Sequence, residues 1–112
     1  MMHRVKLLLT YDIKEHRKAE YYHYIVHEFL PRAQSLGLYL ESVHETVYGN
    51  YPNRLVSFVA RDVDTMARAL HGDVWDSIET KLGEFVTDYE KRLVNFKRSF
   101  QFFLPRRKRQ YG

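Results

Sequence analysis

His23 and His27 stand four residues apart, with Glu20 three residues before His23. On a helix this spacing turns both imidazoles to one side, where they can chelate zinc. The pattern is not His-Glu-x-x-His, in which the intervening glutamate acts as general base, so a zinc-protease arrangement is not written here. A zinc site also needs a third ligand and supporting hydrogen bonds. The reading adopted is a solvated helix face with no metal.

A second group lies on segments that alternate like strands. His44 falls in a run from about Leu38 to Tyr48, on the parity of Leu40, Ser42 and Thr46. Lys6 and Thr10 share one parity of an earlier strand. If the two parities face one enclosed space, His44 beside Lys6 forms a general acid or base, and these two are the candidate catalytic residues. Thr10 and Tyr89 are the candidate ligand-binding residues, a hydroxyl and a phenol able to orient a bound molecule. The competing reading makes His44 a sheet histidine bonded across strands or at a subunit interface, and Tyr89 a packing residue. Trp75 reads as a core anchor. Of the cluster Tyr21, Tyr22 and Tyr24, the helical stripe takes Tyr22 into the core and leaves Tyr21 and Tyr24 for an interface or partial burial.

The elements that would position these residues follow from periodicity. Val5, Leu7, Leu9, Tyr11 and Ile13 alternate with mostly polar residues, giving a first strand whose odd face meets the helices. From about Lys14 to Leu36 the residues Ala19, Tyr22, Val26, Phe29, Ala33 and Leu36 recur at steps of three and four, which predicts one buried helical stripe. Gly37 terminates it, and Pro31 should kink it near 27–30 or restart its last turn. Residues 38–48 and 54–61 form a hairpin about the turn chemistry of Gly49-Asn-Tyr-Pro-Asn53. Asp64 and Asp73 are candidate N-caps for two short helical segments separated by Gly72. Val86 to Val94 is the fourth strand, although its Glu, Lys, Arg and Leu also suit a helix. The order β-α-β-β-α-β is the ferredoxin-like pattern, an α+β fold with an antiparallel sheet. Its sheet carries helices on one face only, so the other face needs a cover, which predicts a homodimer packed sheet on sheet.

Composition narrows the function classes. A chain of 112 residues with 45% hydrophobic residues is a single folded domain. It contains no cysteine, which removes disulfides and thiolate chemistry. It shows no apolar run of the roughly 20 residues that span a bilayer, and no leader-like apolar stretch opens it, so no membrane role and a cytoplasmic location are expected. The net charge of +4 is local: residues 97–112 carry six basic residues and no acid, leaving twelve basic against fourteen acidic residues before them. The domain is taken as residues 1–104, including the apolar segment Phe100 to Leu104, which should pack on the domain or a partner. Residues 105–112 are a solvated basic tail.

Over nearly its whole length, from about Arg4 to Phe102, the chain resembles the dimeric α+β barrel superfamily. That group includes antibiotic-biosynthesis monooxygenase-like domains, stress-responsive barrel domains and many small bacterial proteins of unknown function. The resemblance rests on the opening strand, the hairpin around Gly49, the segment Val74 to Leu82 containing Trp75, and the strand Val86 to Val94. It implies a homodimer with a small-molecule pocket between sheet and helices, and chemistry that can proceed without a cofactor. The stress-responsive members tend to carry a histidine near the end of strand one. Here Thr10-Tyr11-Asp12 stands there, so their site does not carry over.

Three functions are compatible with this reading. The first is a small-molecule-binding protein or cofactor-independent enzyme with a pocket in a dimeric barrel. The second is a structural or interaction module without chemistry. The third is an RNA-binding domain with the same element order. The stretch Arg54 to Arg61 argues against the third, because it places Val56 and Arg61 where base-stacking aromatic residues belong and lacks the glycine. The acidic body argues against it too.

Overall fold

The structure, a computed structural model, describes residues 3–45 and 54–97, and side chains within 5–45 and 54–94. The turn at Gly49 and the segment from Phe100 onward, including the basic tail, lie outside the described residues. Four antiparallel strands, β1 (His3–Ile13), β2 (Tyr39–Glu45), β3 (Arg54–Ala60) and β4 (Val86–Lys97), form one sheet in the order β2-β3-β1-β4. Between β1 and β2 run a 3-10 turn at Glu15–Arg17, helix α1 (Lys18–Tyr24), a π-helical turn at Ile25–Phe29 and helix α2 (Leu30–Ser35). Helices α3 (Val63–Leu70) and α4 (Asp73–Leu82) connect β3 to β4. This is the ferredoxin-like α+β architecture, and β4 is a strand, not a helix.

The core lies between the sheet and the helices. Val5, Leu7, Leu9 and Tyr11 of β1 are buried there, as the odd-face periodicity requires, with Val56, Phe58 and Ala60 of β3 beside them. Trp75, Ile78 and Leu82 of α4 and Met66 and Ala69 of α3 close the other side. Trp75 packs edge-on against Phe29 with ring centroids 5.7 Å apart, which confirms it as a core anchor.

The helical stripe departs from the sequence expectation in its first half. Tyr21 and Tyr24 are buried, whereas Ala19, Tyr22 and Val26 are exposed. Phe29 and Ala33 are buried as expected. The cause is the π-helical turn, in which the Leu30 N–H bonds to the Ile25 carbonyl, five residues back. One extra residue in that turn rotates the phase, so two stripes that look discontinuous in sequence share one face. The wide turn ends just before Pro31, which has no N–H to bond to the His27 carbonyl and whose ring would crowd that carbonyl in a regular helix. Gly37 ends α2 at φ +90°, the left-handed region that a side chain resists. The caps differ from expectation as well. Asp62, not Asp64, caps α3 by accepting from the Thr65 N–H at 2.8 Å. Gly72, not Asp73, occupies the cap position of α4, and Asp73 begins the helix, where an acid suits the positive end of the helix dipole.

Candidate functional site

The sheet face away from the helices carries the candidate catalytic pair. β1 pairs with β3 so that Lys6, Leu8 and Thr10 lie opposite Val59, Ser57 and Leu55, and across β3 the same face holds Ser42 and His44 of β2. Lys6, His44 and Thr10 therefore share one face. His44 and Thr10 both lie in register with Leu55, whereas Lys6 is four residues further along β1, about 13 Å away along the strand. Lys6 Nζ is held at 3.0 Å by Glu41, which also accepts from the Ser57 hydroxyl at 3.1 Å. Register irregularity between Leu40 and Ser42 turns Leu40 to the helix side, off the parity of His44. Thr46 lies outside the described residues.

Tyr89 does not join that group. Its ring meets the buried Tyr11 at 6.3 Å and its hydroxyl donates to Glu79 of α4 at 2.7 Å, so it belongs to the helix side of the sheet. The alternation of β4 requires this, because its neighbour Glu90 pairs with Thr10 on the other face. Burial and the Glu79 carboxylate push its phenol well above the usual range. The His23 and His27 rings lie 4.4 Å apart, and among the described residues no group of three histidine, aspartate or glutamate side chains is placed to hold a metal.

A partly open pocket lies between the sheet and the first helix. A cavity of about 170 Å³ is lined by Leu9, Phe29, Leu40, Val43, Val56 and Phe58, with Ile25 and Leu30, and closed at one end by Tyr11, Tyr21, Tyr22 and Arg54. Register irregularity in β2 supplies Leu40 and the π-helical turn supplies Ile25, so both departures from regular structure shape this space. Leu40 and Val43, 44% and 45% exposed, form its rim.

Its polar end is made of hydrogen-bond donors. The Tyr11 and Tyr21 hydroxyls share one bond at 2.5 Å, and Arg54 Nη2 donates to the Tyr22 hydroxyl at 2.7 Å. Burial is the main cause that pushes the Tyr11 and Tyr21 phenols up, with the Arg54 charge opposing it in part. Both therefore remain protonated at neutral pH. The Arg54 side chain is 12% exposed, and its guanidinium lies 5.5 Å from the Tyr22 ring centroid and 6.0 Å from that of Tyr21. None of these four stood among the expected site residues. Arg54 carried a usable signal: it occupies the parity of Val56, Phe58 and Ala60, a charge on an otherwise apolar strand face.

Comparison with solved structures places this geometry in a family of folds. A NIPSNAP-family protein from Agrobacterium tumefaciens superposes with a TM-score of 0.65 at 17% identity, covering 88% of this chain and 90% of its own. An antibiotic-biosynthesis-monooxygenase-like protein from Deinococcus radiodurans gives 0.67 at 16% identity, covering 88% and 97%. A NIPSNAP-like domain protein from Burkholderia xenovorans gives 0.61 at 15% identity and covers 97% of both chains. The fold is theirs. It is the ferredoxin-like α+β fold, as the element order implied. No family model matches the sequence, and no curated protein matches it. Among the described residues, no helix is long and apolar enough to cross a membrane.

Proposed function

We propose that this protein binds a small, largely apolar molecule in the cavity between its first helix and the sheet. The supporting observation is a space of about 170 Å³ with apolar walls and a few polar groups gathered at one end, the usual form of a small-ligand site. A dry apolar cavity of about 150 Å³ accommodates benzene in another protein, which sets the scale at one ring or a short chain. Binding is better supported than catalysis. The described lining contains no carboxylate or imidazole to act as a base, and its buried phenols are held in the protonated form. Lys6, His44 and Thr10 lie on the opposite face, so a role for them belongs to whatever covers that face.

We further propose a second copy of the chain as that cover. Leu8, Leu55, Val59 and Val94 are half-exposed on this face, with the Lys6–Glu41 pair and Ser57 among them. β1 and β3 present no aromatic residue there for stacking bases, which disfavours RNA. The absence of cysteine and of a membrane-crossing helix among the described residues fits a cytosolic protein.

Methyl chemical shifts test the pocket. Adding toluene or benzyl alcohol should move the Leu9, Ile25, Leu40, Val43 and Val56 methyl signals, and Val43→Phe, which fills the rim, should abolish the response. Shifts absent from these methyls in the wild type, or unchanged by the substitution, would defeat the proposal.

A further inference from the structure

The cavity's polar end has more donors than acceptors. One of the two protons on the Tyr11 and Tyr21 hydroxyls is used between them, and the other has no acceptor in that pair. Tyr22 accepts from Arg54, so its own proton is available. Arg54 Nε is buried and has no acceptor among the described residues. The countercharge is weak: Glu45 approaches Arg54 Nη2 at 3.7 Å, beyond hydrogen-bonding distance, with its side chain 54% exposed. A guanidinium removed from water to this degree needs an acceptor and a negative charge nearby. Within the cavity the Tyr22 hydroxyl accepts from Nη2 alone, no described lining group is negatively charged, and the remaining walls are apolar.

We propose that the ligand is an apolar monocarboxylate of one ring or a short chain, its carboxylate held by the Arg54 guanidinium and the Tyr22 hydroxyl. This rests on the pocket proposed above and specifies its occupant. A guanidinium presents paired N–H groups that match a carboxylate, and such charge-assisted bonds are roughly twice as strong as neutral ones. The Tyr22 hydroxyl lies 2.7 Å from Arg54 Nη2, on a residue 44% exposed, so both groups can meet one carboxylate. The apolar body then lies against Leu9, Val56 and Phe58, where its size is limited by the cavity volume.

Benzoate, benzamide and benzyl alcohol, similar in size and different in charge, separate the possibilities when titrated against the full chain by calorimetry and methyl shifts. Benzoate should bind the wild type at least tenfold more tightly than either neutral compound. Arg54→Met should remove that preference, and Tyr22→Phe should lower the ratio of benzoate to benzyl alcohol affinity threefold or more. Equal binding of all three by the wild type overturns the carboxylate assignment and leaves the pocket standing. Binding of none, with no pocket methyl shifted, overturns both. The wild-type ratio decides the question even if Arg54→Met fails to fold.

Discussion

Tyr11, Tyr21, Tyr24 and Tyr89 are phenols with their hydroxyls bonded inside the protein. Tyr24 donates to the Ile78 carbonyl at 2.7 Å and Tyr89 to Glu79. In all four, burial is the first cause raising the folded-state pKa above the ordinary phenol value near 10. A raised folded value means that the unfolded chain loses these protons first. The stabilisation is fully present below about pH 10 and is lost as pH rises beyond it. The melting temperature should therefore be flat in this respect up to about pH 9 and fall steeply above 10. Tyrosinate absorbance should show one fraction titrating normally and a second appearing only with unfolding. Smooth titration of all nine tyrosines while the fold persists would contradict this. At this scale the sequence was only partly legible. The burial of Tyr11 follows from alternation, but its bond to Tyr21 depends on the helix phase, and no residue type announces that phase.

The π-helical turn accounts for most of what periodicity misread. A regular helix through 14–36 puts Tyr22 and Val26 inside, yet both are exposed, and the aromatic neighbours Tyr21 and Tyr24 fill the core instead. Pro31 was a visible signal that the ladder would break nearby, but it did not specify an extra residue instead of a kink. Register irregularity between Leu40 and Ser42 has the same effect in β2, splitting an apparently uniform parity between two faces. If one surplus residue in the helix sets the phase, its removal should be tolerated. Deleting Val26, 57% exposed, leaves Tyr21, Tyr24, Phe29 and Ala33 spaced at three or four on a regular helix. The shortened protein should still fold, with a loss of about 3 kcal/mol that comes mainly from the Pro31 ring meeting the carbonyl four residues back in a regular helix. Deleting exposed Gln34, beyond the turn, should cost considerably more, because Ala33 and Leu36 then lose their shared face. Urea unfolding of both deletions measures the difference, and equal losses would mean that the turn does not carry the phase.

The architecture was legible because it depends on element order, which survives one-residue errors: strand, helix, hairpin, helices and strand admit few unknotted arrangements. That the sheet leaves one face without helices was legible for the same reason. The cavity was not, since Ile25 and Leu40 join its lining through the π-helical turn and the irregular register of β2. The open face carries the largest expectation for the whole molecule. It mixes Leu8, Leu55, Val59 and Val94 with a lysine already neutralised by Glu41 and a serine bonded to the same carboxylate. Lys6 and Ser57, both held by Glu41, can be covered without being left unpaired, which suits this part of the face to burial, while Thr10, His44, Glu90 and Arg92 make the rest of it polar. A sheet packed against its own copy about a twofold axis would place Leu8, on the central strand β1, near the middle of the contact. Leu8→Glu should then leave the protomer folded, because in the free chain the new carboxylate faces water, but should separate the dimer. Sedimentation at micromolar concentration should give a dimer for the wild type and a monomer for the variant, with far-ultraviolet circular dichroism unchanged. The melting temperature of the wild type alone should rise with protein concentration, since association stabilises only the folded state. A wild type that sediments as a monomer at that concentration would leave the face open to another partner and remove the dimer from the account.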